Sequence, residues 1–299
     1  MKKYSGSSKL LMWTTALVFA GVMAGCGGGG DGSSTSAAPG SASNPSSSAG
    51  PTLTVAAGAG TGRAGAGVGP APIDLGMSGN YAILAEALIS KTTTAGTAIT
   101  GDLGMSPAAA TFIQGFGLTL DGGGCFSTPS PLSLVTGKVY AADYSTNGCP
   151  TPTNLGTAIL NKGAAFTDGN SRAPDYLELG AGSIGGMTLP PATYKWSGGV
   201  SVLSDLVLAG GPNDVWIFQV TSDITVASAV KVTLTGGALA KNIFWVTGGV
   251  ADFETTSHVE GIVLSASSIT LKTGASVNGR LLAHTDVTLD SNVVVQPAP

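Results

Sequence analysis

Charge is scarce in this 299-residue chain: 10% of residues are Asp, Glu, Lys or Arg, 13 basic against 17 acidic. A net charge of -4 leaves no basic footprint for nucleic acid. Histidine is almost missing, with His258 and His284 the only two, and neither stands in an H-E-x-x-H spacing. The acidic side chains are scattered and no Gly-x-Ser-x-Gly elbow occurs. So few acids, bases and ligands predict a protein without catalytic residues, metal or cofactor. Aromatics make up 6% and cysteines number three.

The one long apolar run, Leu10 to about Ala24, follows Lys2, Lys3 and Lys9. That is the layout of a signal peptide, and the run is short for a membrane span. Val22-Met23-Ala24-Gly25-Cys26 after it resembles the bacterial lipobox, which makes Cys26 the predicted lipidation site and residues 1–26 the leader. Gly27 rather than Asp after the cysteine favours the outer membrane; secretion after an ordinary signal cut is the alternative. Residues 27–72 are Gly, Ser, Ala and Pro with almost no large apolar side chain, a flexible linker reaching on the order of 35 to 40 Å. The string Gly65-Ala66-Gly67-Val68-Gly69 in it lacks the flanking strand and helix of a phosphate loop. Beyond Cys26 the two remaining cysteines, Cys125 and Cys149, read in an exported protein as one disulfide, with two free buried thiols as the alternative.

What the chain has in abundance is Gly (46 residues), Thr, Ser and Ala among short Val/Ile/Leu runs, which points to stacked strands and tight turns. Ala251-Asp252-Phe253-Glu254-Thr255, Ile269-Thr270-Leu271-Lys272-Thr273 and Val287-Thr288-Leu289-Asp290-Ser291 repeat eighteen apart. Val259 over Val277 and Gly261 over Gly279 keep the same register, and Val200-Ser201-Val202 and Ile224-Thr225-Val226 fit with longer turns. Three short strands per copy predict one turn of a three-sided β-solenoid across residues 73–299, mostly β with one α-helix.

Strand alternation then assigns the side chains. In the first run of each copy the apolar flanks point inward and Ser201, Thr225, Thr270 and Thr288 point out, with Asp252 interrupting. The triplets Leu118-Thr119-Leu120 and Met187-Thr188-Leu189 have the same pattern and add Thr119 and Thr188 to the predicted column. A third run is apolar on both sides, so Ile217, Trp245, Leu264 and Leu282 are expected to stand outward beneath a cover. The candidate cover is a helix from Thr153 to about Asp168, after Pro152, with Leu155, Ala158, Ile159, Ala165 and Phe166 on one stripe. Gly156 and Gly163 weaken it, so it is expected to depend on docking.

Seven segments, in order, carry a family resemblance: LGMSGNYAILA from Leu75, TAITGDLGMSP from Thr97, VTGKVYAADY from Val135, ELGAGSIGGMTLPPATYKWSGGV from Glu178, NDVWIFQV from Asn213, AKNIFWV from Ala240 and TGASVNGRLLAHTDVTLD from Thr273. Over about Asp74 to Pro299 the chain resembles the ice-binding proteins of polar bacteria, fungi and algae, a family long labelled a domain of unknown function (DUF3494-like). The resemblance implies a discontinuous right-handed β-helix of triangular section with a long helix along one face. It also implies interleaved N- and C-terminal coils, a cap subdomain near Cys125 and Cys149 (the loop region 107–150), and adsorption to ice without a cofactor.

Stacked strands lie about 4.8 Å apart, close to spacings in the ice lattice, and β-branching holds Thr side chains stiff. The expected ice face therefore carries Thr119, Thr188, Ser201, Thr225, Thr270 and Thr288, with the charges Asp252, Glu254, Lys272 and Asp290 on or beside it. The second choice is the neighbouring face with Thr233, Thr273, Ser276 and Asn278, where Thr273-Gly274-Ala275-Ser276 looks like a Thr-Gly/Ala-x-Thr pattern of some members and His258 and Glu260 interrupt. Expected partners are the ice surface and, through the lipid, a membrane; a monomer is the simpler state. The rival reading is a structural or adhesive cell-surface solenoid that binds a glycan or another cell, which exposed aromatics and acidic calcium loops would favour.

Overall fold

The computed structural model describes residues 68–92 and 96–298; Cys26 and residues 27–67 of the expected linker lie outside them, and its last residues are docked on the folded body rather than free, Val68 O accepting the Val215 N–H and Ala71 O the Arg172 guanidinium. Each coil of the solenoid runs through three parallel strands that stack on their counterparts in the next coil. The eighteen-residue register is present: Ala251, Ile269 and Val287 pair in succession, as do Val259 with Val277 and Gly261 with Gly279. Face A contains the strands Thr193–Trp196, Trp216–Val220 and Ile243–Thr247 and the second halves of His258–Ser265 and Ser276–Ala283. Face B is a seven-stranded sheet from Val200–Val202 to Ile113–Gln114. Face C contains Thr188–Leu189, Leu206–Ala209 and Val232–Thr235, and continues through residues 258–260, 276–278, 293–295 and 98–100.

The solenoid is discontinuous. Tyr81–Ala85 pairs with Ser276–Ala283, and Leu88–Lys91 with Asp286–Leu289, so the N-terminal coil stacks on the C-terminal coil across about 200 residues of sequence. The capping region is smaller than the predicted 107–150, because Ile113–Gln114 and Val139–Ala141 belong to solenoid sheets. What remains is a short hairpin and loops, joined by a Cys125–Cys149 disulfide with Cα atoms 5.3 Å apart.

Inside the coils an aromatic ladder rises strand by strand: Tyr176, Tyr194, Phe218 and Trp245, with ring centroids 4.9, 5.2 and 4.1 Å apart. Stacked pairs of this kind contribute about 0.5–1.5 kcal/mol each beyond burial of their area. The ladder corrects one sequence expectation: Trp245 points into the solenoid, and Phe244 and Val246 stand outward with Ile217, Ile262, Leu264 and Leu282. A strand apolar on both sides has no alternation to reveal its phase. Here the pairing of Phe218 with Trp245 sets it.

The helix Thr151–Ser171 covers that outward row. At 1.5 Å per residue it is about 31 Å long, the height of about six inter-strand steps of 4.8 Å. It packs against strands from Val139–Ala141 to Trp216–Val220, which are six steps apart. Leu155, Ala158, Lys162, Ala165 and Gly169 form its buried stripe, while Ile159 and Phe166 are half-buried. Pro152 sits in its first turn, where the missing N–H costs nothing. At the other end Gln219 Nε2 donates to the carbonyls of Gly169 and Arg172, both 2.8 Å away, satisfying groups the helix leaves open.

Candidate functional site

Face B owes its regularity to in-out-in triplets. The flanks Val200 and Val202, Ile224 and Val226, Ile269 and Leu271, and Val287 and Leu289 are buried, so the residue between each pair is carried outward. The outward residues pair in one unbroken line: Ser201, Thr225, Asp252, Thr270, Thr288, Ser90 and Gln114, with Ser183 bridged to Ser201 at the end. Adjacent members are therefore one strand spacing apart, about 4.8 Å. All but Gln114 and Ser183 are half-buried by their neighbours in the row.

Four of the six first-choice residues thus come together, and two do not. Thr188 lies on face C, paired with Val207, which pairs in turn with Thr233. Its triplet has the right alternation, but the turn after it leads into the face A strand Thr193–Trp196, which makes it the face C strand of its coil. Thr119 belongs to the capping hairpin, paired antiparallel with Thr128, where Leu120 beside it is exposed rather than buried in a core. Of the second-choice residues, Thr233, Ser276 and Asn278 are on face C, while Thr273 sits in the turn leading to it.

Ser90, Gln114 and Ser183 escaped the sequence reading. Ser90 is flanked by Ile89 and by Lys91, a buried lysine whose Nζ lies 5.8 Å from the Phe116 ring centroid, so the apolar triplet that marks the other strands is absent. The signals that exist are Ile89 and Ile113 at the inward positions.

Hydrogen bonding separates the two faces. The hydroxyls of Ser201, Thr225, Thr270, Thr288 and Ser90 have no side-chain hydrogen bond to any described residue, whereas every second-choice residue is engaged. Ser276 Oγ is 2.8 Å from His258 Nδ1, Asn278 Nδ2 donates to Glu260 Oε2 at 2.8 Å, and His258 Nε2 is 3.1 Å from Glu260 Oε1. Thr233 Oγ1 donates to Leu206 O at 3.4 Å and Thr273 Oγ1 donates to Asp290. Face B keeps its hydroxyls for solvent, whereas the second-choice residues of face C spend theirs within the protein; on face C it is Thr188, Thr235 and Thr100 whose exposed hydroxyls have no such bond to a described residue. Beside the face B row, Lys272 pairs with Glu254 at 2.5 Å, and that hydrogen bond raises the ammonium pKa above the ordinary lysine range.

Fold and face together define a class: a discontinuous three-sided solenoid, strapped by one helix, that presents a regular row of unengaged hydroxyls. The chain belongs to the ice-binding-like family, whose model matches residues 83–295. An ice-binding protein of Leucosporidium sp. (strain AY30) is 44% identical over 226 residues, 75% of this chain and 84% of that protein. One from Flavobacterium frigoris (strain PS1) is 41% identical, covering 75% and 76%. Among solved structures, an ice-binding protein from an Arctic yeast superposes with a TM-score of 0.72 at 42% identity, over 76% of this chain and 95% of that one. The DUF3494 domain of Shewanella frigidimarina ice-binding protein 1 gives 0.69 at 31% identity, over 77% and 99%.

Proposed function

We propose that this protein is an antifreeze that adsorbs to ice through the face B row of Ser201, Thr225, Thr270, Thr288 and Ser90, and that it performs no chemistry there. The observation that carries the choice of face is that these unspent hydroxyls pair strand to strand in one line, while on face C the polar groups of Thr233, Ser276 and Asn278 are bonded within the protein and His258 and Glu260 interrupt. Ice presents no charge and no singular shape, so recognition depends on many weak contacts at the right spacing. At about 0.5–1 kcal/mol net for each hydroxyl, five acting together give about 2.5–5 kcal/mol, two to four orders of magnitude in residence. Threonine suits the task because its stiff rotamer leaves little entropy to lose on contact.

Asp252 breaks the row and holds liquid-like water, which sets the activity at a moderate level. Cys26 carries the lipid in this reading, residues 27–67 are the tether, and the domain stands as a monomer on the outer membrane or cell surface. Family membership and the fold's likeness to ice-binding structures support the adsorption to ice; the anchor rests on the leader's own residues.

The test is direct. The folded part, residues 68–299, is expected to shape ice crystals and to hold the freezing point below the melting point. Round crystals with no gap at millimolar protein would defeat the proposal. For the anchor, Cys26→Ala is expected to move the protein from the membrane fraction into the medium; an unchanged membrane fraction contradicts lipidation.

A further inference from the structure

The chain enters the folded body at one defined place. The Val68 N–H donates to Asp214 Oδ1 at 2.6 Å, the Val215 N–H donates to Val68 O at 3.1 Å, and Arg172 Nη1 reaches Ala71 O at 3.2 Å. Gly69 has φ +93°, and a Cβ there would lie 2.5 Å from Val215 O and 3.1 Å from Pro191 Cβ. Only glycine fits that close approach in that conformation. The linker therefore ends in a built seat.

The seat lies on a particular edge of the prism. Asp214 and Val215 sit between the face C strand Leu206–Ala209 and the face A strand Trp216–Val220, and Pro191 sits at the same corner one coil earlier, between Thr188–Leu189 and Thr193–Trp196. In a three-sided solenoid the corner between faces A and C is opposite face B. From these contacts we infer that any anchor N-terminal to Val68 joins the protein at the edge remote from its hydroxyl row, so that the attachment leaves face B clear to meet a second surface, ice. This rests on the face B reading, and it gives the attachment a role in adhesion.

With the tether removed, only an exit opposite the contact leaves face B clear of the membrane.

The experiment uses the full lipidated chain in fluorescent phosphatidylethanolamine/phosphatidylglycerol vesicles, reading the fraction retained on a polycrystalline ice surface. Two further versions are compared with it. One lacks residues 33 to 66. The other combines Cys26→Ala with Leu203→Cys, lipidated through the new thiol, because Leu203 follows the face B strand Val200–Val202 and is 64% exposed. The expected result is that the shortened-tether vesicles are retained within about twofold of the parent, while the Leu203-linked vesicles lose retention by about tenfold or more. Leu203→Cys blocked with a small reagent and left unlipidated serves as the control for the contact face, and is expected to shape ice as the parent does.

Loss of retention on shortening, or equal retention through Leu203, overturns the inference. Protein cleaved from each vesicle is assayed for freezing hysteresis in solution. Absence of hysteresis there contradicts the face B reading, whereas hysteresis in solution with loss on the shortened-tether vesicles contradicts the attachment geometry alone.

Discussion

Lys162 Nζ lies 2.8 Å from Glu86 Oε1, and the same ammonium donates to the Ala283 carbonyl at 2.5 Å. Three parts of the chain meet at this point: the helix, the N-terminal coil and the C-terminal coil on which it stacks. Glu86 also receives His284 Nδ1 at 2.9 Å. Burial pushes the lysine below its ordinary range while the hydrogen bond and charge of Glu86 hold it up.

Lys162→Met is therefore expected to lower stability by about 2–3 kcal/mol, read as a shift in the urea midpoint. That is below the usual cost of breaking a buried pair, because Glu86 keeps His284 and some solvent. Ice shaping by the folded fraction should be unchanged, since face B is not touched.

The helix glycines divide by what surrounds them. A Cβ at Gly156 or Gly163 meets nothing within 4 Å, whereas one at Gly169 would lie 2.7 Å from Ile73 Cδ1 and 2.8 Å from Val246 Cγ2. Gly156→Ala and Gly163→Ala should each add about 0.5–1 kcal/mol by helix propensity and reduced freedom of the unfolded chain. Gly169→Ala should cost about 1–3 kcal/mol through overpacking. Thermal unfolding midpoints moving in opposite directions check both.

Acid should destabilise the protein in one direction only. Asp121 accepts backbone N–H groups of Phe126, Gly123 and Cys125; Asp168 is paired with Arg172; Glu178 accepts hydrogen bonds from Ser197. In all three, hydrogen bonding lowers the carboxyl pKa on folding. A group of lower folded than unfolded pKa stabilises above its unfolded value, about 4, and loses that contribution as pH falls through the folded one. The urea midpoint is expected to be level as pH falls from 7 to 5 and to decline below about 4. A midpoint that rises on acidification would contradict this.

Much of the architecture was legible because it is periodic. The eighteen-residue repeat with its in-out-in triplets gives the register of Thr270 with Thr288, and the helical spacing of Leu155, Ala158 and Ala165 gives the stripe of the covering helix. Three things were not legible, each for a physical reason. The phase at Trp245 is hidden because both sides of its strand are buried. Thr119 and Thr188 share the alternation of the row, yet alternation states only that a residue points outward, not from which face. Ser90 joins the row through a pairing about 200 residues away in sequence, and Lys91 occupies the position where the pattern calls for an apolar side chain. Lys162 on the helix stripe is hidden in the same way, a charge where burial calls for an apolar side chain.

The measurement that bears most directly on the account is freezing hysteresis of Thr270→Tyr/Thr288→Tyr set against Ser276→Tyr, with thermal unfolding of each. Two tyrosines on adjacent strands of face B raise bulk above the level row; one on face C does not. The account predicts an activity loss of about tenfold for the face B variant with its unfolding midpoint retained, and near-parental activity for Ser276→Tyr. Full hysteresis in the face B variant, with activity abolished by Ser276→Tyr, would assign ice binding to face C and contradict the account.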